Sequence, residues 1–268
     1  MELIAASRII RAQARVGASQ PYISKLDEVI ANVGAASGGS SHPLLEKREG
    51  GTPGILVITS DRGLAGAYNS NVIRLAESRL IELTRSGLDY RLYVVGKKSR
   101  TYFNYRGYRI EQTYLGITDT PAYGDSRAIA NLLIDDFAER RIDSVEAYTT
   151  RFRSALTQVP TRWPLLPIEA PEVERSEDAV PVAYTYEPSP EAILSRLLPR
   201  YVEASVFGML LEASASEHAA RRRAMKAATE NAEELTKLLT RQANQARQAE
   251  ITTEISEIVG GAEALTKG

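Results

Sequence analysis

Small and apolar residues recur near the start of the chain at alternating spacings of four and three: Ala5, Ile9, Ala12, Val16, Ser19, Ile23, Leu26, Ile30 and Val33. A repeat of this kind keeps one stripe of a helix turned toward a partner, so the stretch predicts one half of a coiled coil, and its Ala and Ser positions let the partner approach closely. Pro21 removes one backbone donor and predicts a local kink. Toward the other end, Val202, Val206, Met209, Ala213, Ser216, Ala220, Ala224 and Ala227 form a second seam, and Ile251, Ile255, Ile258, Ala262 and Leu265 form a late one. From Arg200 to Val259 there is no proline and a single glycine, Gly208. Ala, Glu and Arg lose little rotamer freedom on winding, so this stretch predicts one helix of about 90 Å at 1.5 Å per residue. Gly260 and Gly261 are expected to close it as C-terminal caps.

Between these ends the period changes. Short β-branched runs alternate with amphipathic segments: "GILVITS", a helix through Leu83, "RLYVVG", a helix near Ser99, "RIEQTYLG", the helix "SRAIANLLIDDFAERRI", then "SVEAYTTRF". Strands alternating with helices predict a mostly parallel, doubly wound sheet. The flanks "ASGGSSHP" and "EPSPEA" read as linkers. The expected organisation is an N-terminal coiled-coil helix over 1–45, a Rossmann-like α/β domain over 53–188 and a long C-terminal helix over 190–268. The two helical ends pair as an antiparallel coiled coil with the α/β domain inserted between them.

Composition narrows the chemistry. The 268 residues are 43% hydrophobic and 25% charged, which is ordinary for a folded chain, and 33 basic against 34 acidic residues leave a net charge of -1. No global field recruits nucleic acid or an anionic membrane. There are no cysteines and only two histidines, His42 and His218, far apart in sequence, so thiolate chemistry is excluded and a histidine metal cluster or histidine triad is not expected. No run reaches the roughly 20 apolar residues that span a bilayer, and "MELIAASRII" lacks the pattern of a secretory signal.

One stretch raises the question of a nucleotide. "TSDRGLAGAYNSN", Thr59 to Asn71, lies between a strand and a helix, where Gly63, Gly66, Ser60 and Asp61 could turn backbone donors toward a phosphate. It has neither the full dinucleotide glycine spacing nor the Lys and Ser/Thr of a phosphate loop, and no acidic residue follows the strand near Val95 to hold a ribose. Asn69 or Ser70 reads as a helix cap, with Gly63 and Gly66 supplying tight turns.

"VITSDRGLAGAYNSNV", "ASEHAARRRAMKAATENAEEL" and "ARQAEITTEISEIVGGAEAL", in this order along the whole chain, resemble the gamma subunit of rotary F-type ATP synthase of the bacterial type. The resemblance implies a non-catalytic central shaft, with a Rossmann-like domain that binds no nucleotide, no cofactor and no metal. Its long C-terminal helix would thread a head of alternating alpha and beta subunits, while the α/β domain would sit with the epsilon subunit on the membrane ring of c subunits. The implied location is the cytoplasmic face of the bacterial cell membrane, as a peripheral component without nucleic acid. Two departures stand out. Relatives carry a further stretch ahead of the position Met1 occupies, and where many have a cysteine after "DRGL" this chain has Ala65, so no thiol switch operates. By position in the matched motifs, Arg247 and Gln248 are expected to contact a beta-subunit loop. Arg221, Arg222, Arg223 and Lys226 could face acidic loops of the head, and Tyr184 and Glu187 the rotor ring or epsilon. Two other readings compete: a nucleotide-dependent α/β enzyme, for which ATP or NAD binding would speak, and a stand-alone coiled-coil adaptor, for which a symmetric homodimer would speak.

Overall fold

A computed structural model describes residues 2–36, 42–48, 50–169, 187 and 189–266. The described chain divides into two compact units, Met1–Arg223 and Ala224–Gly268. The first unit begins with helix α1 (Glu2–Ala36) and a short 3-10 turn (Pro43–Leu45). There follow β1 (Pro53–Ile58), α2 (Tyr68–Arg85), β2 (Arg91–Val95), α3 (Lys97–Tyr105), β3 (Ile110–Tyr114), α4 (Tyr123–Ala138), β4 (Ser144–Phe152) and β5 (Gln158–Leu166). Helix α5 (Pro190–Thr266) enters both units.

The five strands lie in the order β3-β2-β1-β4-β5. β1 pairs in parallel with β2 and with β4, setting Leu56 beside Tyr93 on one side and Ala147 on the other, and β3 continues the parallel set. Every residue of β1 is buried. Burial on both faces explains why "GILVI" is continuously apolar, since a strand covered on one face alternates. Leu56 and Ile58 point into a core with Ile129, Leu133 and Phe137 of α4, Ile30 and Val33 of α1, and Val202 and Val206 of α5. Ile55 and Val57 point the other way, against Val72, Ala76 and Leu80 of α2 and Phe103 of α3.

β5 is absent from the strands expected above. It runs antiparallel to β4, and Pro160 and Pro164 lie within it, opposite Thr150 and Glu146. Proline cannot donate to a ladder and so argues against a strand, but an edge strand needs its donors on one side only.

The N-terminal seam is buried at Ala5, Ile9, Ala12, Leu26, Ile30 and Val33, and half-buried at Val16, Ser19 and Ile23 around Pro21. α1 continues through that proline. It packs antiparallel to α5: a Cβ on Gly208 would stand 3.0 Å from Ile23 Cδ1, and Asp27 hydrogen-bonds Tyr201. From Val202 to Arg221 only Ser205, Phe207 and Glu212 fall short of full burial, so over this stretch α5 is covered on every face. α5 starts at Pro190, with Pro199 inside the helix. Two local expectations are corrected. α5 runs through Gly260 and Gly261 rather than ending at them, since helical glycine costs only about 1 kcal/mol. α2 is capped by neither Asn69 nor Ser70; both are helical, and its N-cap is Ala67.

Candidate functional site

The glycine-containing loop after β1 is built inward. Asn69, in the first turn of α2, accepts hydrogen bonds at Oδ1 from the Ser60 amide and from Ser60 Oγ, both at 2.9 Å, which ties the loop's start to its end. Thr59 Oγ1 donates to Ser99 Oγ at 2.7 Å and accepts from the Ser99 amide at 3.0 Å, joining β1 to α3. Gly96, at φ +95°, lets the chain pass so close that a Cβ there would lie 2.4 Å from the Thr59 carbonyl oxygen. Leu64 rather than Gly63 takes the left-handed conformation beside Gly66, at φ 60°, and its side chain is 61% exposed. A non-glycine residue held there costs roughly 1–2 kcal/mol, offset by the bonds around it.

Asp61 decides what the loop does. Its Oδ1 accepts the amide of Lys97, the first residue of α3, at 3.0 Å, and Oδ2 accepts from the Gly116 amide at 3.0 Å and Thr118 Oγ1 at 2.9 Å. The free donor at a helix N-terminus, the group that a phosphate oxygen would take, is thus met by the chain's own carboxylate. The loop fastens the carboxyl ends of β1, β2 and β3 to one another.

It also fastens them to α5. Arg221 donates to the Gly63 carbonyl from Nε at 3.3 Å and Nη2 at 3.2 Å, and pairs with Glu217 at 2.5 Å. Ala65, Tyr68 and Ala220 close over this contact. The Glu217 side chain is 2% exposed and its Oε2 has no hydrogen-bond partner. Burial pushes its carboxyl up to about 7, against the pull of Arg221, with Asp119 and Asp61 adding to the rise. His218 is held below its usual range, chiefly by burial.

The residues singled out from sequence thus separate. Arg221 is internal and committed to Glu217 and Gly63. Arg223 reaches the Leu156 carbonyl and Gln158, while Arg222 is exposed. In the second unit Lys226 pairs with Glu230 at 3.7 Å, and Arg247 and Gln248 are exposed. Glu187 is exposed, and Tyr184 lies outside the described residues. Asp119 and the carboxylate role of Asp61 were not legible beforehand, because their partners lie far away in sequence, and Glu217 was not, because its burial is a property of the whole fold. The second unit carries its own signal: Leu235, Leu238, Leu239, Ile251, Ile255, Ile258 and Val259 are 44–71% exposed. Apolar surface of this extent on a helix marks an interface. Among the described residues no group of acidic and histidine side chains could hold a metal, and no helix is long and apolar enough to cross a membrane.

A family model described as ATP synthase matches residues 1–265. The ATP synthase gamma chain of Frankia casuarinae is 47% identical, covering 100% of this chain and 92% of the relative, and that of Streptomyces coelicolor is 45% identical over 99% and 89%. Among solved structures, the chain is similar in fold to one from the Tetrahymena thermophila mitochondrial ATP synthase central stalk and c-ring, with TM-score 0.65 and 22% identity over 85% of this chain and 97% of that one. A chain of the Euglena gracilis mitochondrial enzyme matches with TM-score 0.59 at 17% identity, covering 98% and 94%. A matched length of this kind, with the coiled coil, the inserted sheet and the closed loop in their expected order, leaves one assignment: the chain belongs to the ATP synthase gamma chain family.

Proposed function

We infer that this chain is the central rotor shaft of a membrane-associated, proton-translocating ATP synthase and catalyses no reaction itself. The observation that carries the reading is the apolar stripe on the second unit, Leu235 to Val259, exposed on a chain of this family. Such a stripe needs a sleeve, and a head of alternating alpha and beta subunits supplies one. Because the shaft has no three-fold symmetry, it meets three chemically identical beta subunits differently at any instant and biases each toward a different nucleotide affinity. Turning the shaft moves that bias around the ring. Reversing a two-state population from 1:99 to 99:1 takes about 5.5 kcal/mol of differential interaction, so several contacts share the work.

Arg247 and Gln248, both exposed on α5, are assigned to a beta-subunit loop. Arg222 and Lys226 are the members of the basic cluster left to face the head, since Arg221 is internal and Arg223 is engaged within the first unit. Glu187 and Tyr184 are assigned to the epsilon subunit or the c-ring. The complex sits on the cytoplasmic face of the bacterial membrane, where this chain is peripheral.

Tagging the chain in its native cell and solubilising membranes with mild detergent should recover two abundant ATPase-type subunits and a small rotor-ring subunit. Recovery of the chain alone, or as a symmetric homodimer, would defeat the reading. Within the complex, Arg247→Glu should lower ATP-driven proton pumping while subunit content stays constant; unchanged pumping removes Arg247 from the contact.

A further inference from the structure

The turn between β3 and α4, residues 115–122, has no role in the reading above, yet three elements meet on it. Asp61 pins it to the end of β1 through Gly116 and Thr118, and Thr118 Oγ1 accepts the Asp61 amide in return at 3.1 Å. From this post Asp119 reaches α1: Arg8 Nη1 donates to both carboxylate oxygens at 2.6 Å. The Asp119 carbonyl accepts from Ser214 Oγ of α5 at 3.1 Å, and the Arg62 guanidinium and His218 Nε2 stand 3.8 and 3.7 Å from its carboxylate. Two positions on, the Pro121 carbonyl accepts from Arg15 Nη2.

The two helices are held unequally. α5 is gripped by the body of the α/β domain, through Tyr123 to Glu203, the Phe152 amide to Glu212 and Arg221 to Gly63, besides its buried packing. For α1 ahead of Pro21, every hydrogen bond or ion pair to the α/β domain among the described residues ends on Asp119 or Pro121. The seam beside that proline is only half-buried at Val16, Ser19 and Ile23, so packing alone resists sliding weakly there.

We propose that the 116–121 turn is the clamp through which the α/β domain drives the part of α1 ahead of Pro21, with Asp119 as its positioning residue. Torque entering the domain passes to α5 through its buried faces, to the later part of α1 through the core packing of Ile30 and Val33, and to the part ahead of Pro21 through Asp119 and Pro121. This rests on the shaft reading.

The test uses the assembled complex in sealed vesicles, scoring protons pumped per ATP hydrolysed at matched subunit content, with torsional stiffness from single-molecule rotation as a second readout. Asp119→Ala and Arg8→Ala should each lower the pumping ratio at least roughly twofold and soften the shaft, without additivity in the double variant. The charge swap Arg8→Asp with Asp119→Arg should recover part of both. A wild-type ratio and stiffness in assembled single variants would overturn the clamp, as would independent, additive effects. If Asp119→Ala does not assemble, Arg8→Ala decides, because it leaves the turn and its Asp61 bonds intact. Failure of the unmutated chain to assemble or pump would sink the shaft reading and the clamp with it.

Discussion

Raising the pH should loosen the junction between α5 and the loop after β1, and Glu217 sets the size of the effect. Its carboxyl is pushed from 4.5 to about 7, first by burial, so the folded chain holds this proton more tightly than the unfolded chain does. The stability it contributes is therefore fully present below pH 4.5 and is lost as pH rises through about 7, the reverse of an ordinary salt-bridged carboxylate. At about 1.4 kcal/mol per pH unit the loss reaches about 3 kcal/mol. The charged and titratable groups around it are Arg221 and His218 on α5, Asp61 and Tyr68 on the β1 side, and Asp119 on the turn before α4. His218, lowered by burial, contributes an opposite slope as pH falls below 6.5, so the informative quantity is a difference between two proteins. Urea unfolding of the full chain, followed by the single tryptophan, Trp163, from about pH 5 to about pH 8, should show wild type losing stability relative to Glu217→Gln, which cannot titrate. Parallel curves across that range would refute the reasoning, because they would mean that Glu217 is ionised throughout.

Other substitutions test neighbouring steps. Arg221→Ala leaves the Glu217 carboxylate and the Gly63 carbonyl without their donor and should cost about 3–5 kcal/mol in the same unfolding assay, more at pH 8 than at pH 5. Gly96→Ala drives a Cβ to 2.4 Å from the Thr59 carbonyl at a φ of +95° and should lower stability by more than about 2 kcal/mol; a smaller loss would show that β1 and α3 part easily. Phe137→Ala empties a fully buried site beneath the Arg48 guanidinium, 4.1 Å from the ring centroid, and should cost about 3–5 kcal/mol, read as a shift in the urea midpoint.

What was legible in the sequence follows the range of the interactions involved. The N-terminal seam, the second seam as far as Ala220, the buried strands and α2 to α4 announce themselves because periodicity is local: Ala5 to Val33 and Leu56 beside Ile58 carry their burial in their own spacing. β5 does not, since its prolines are compatible with a strand only at an edge, and edge position is a property of the whole sheet. The same holds for the site. Arg221 reads as one of three exposed arginines until Gly63, 158 residues away, is seen to accept from it. Asp119 reads as a turn residue until Arg8, 111 residues away, is seen on its carboxylate.

The stretch from Ala213 to Ala220, "ASASEHAA", shows how one composition serves two ends. Small side chains on every face allow α1, β4 and the 115–122 turn to approach the helix together, so the segment is buried all round. Such close approach leaves little room for charge, and Glu217 and His218 tolerate it because Arg221 pairs with the first and burial holds the second below its usual protonation range. Beyond Arg221 the chain is still rich in Ala and still helical, but Glu, Lys, Arg and Gln now alternate with the small residues and exposure follows. α5 therefore stays helical while its surroundings change. An Ala-rich helix is what lets a single element be a buried core strut in one unit and a solvent-facing, partner-seeking surface in the other.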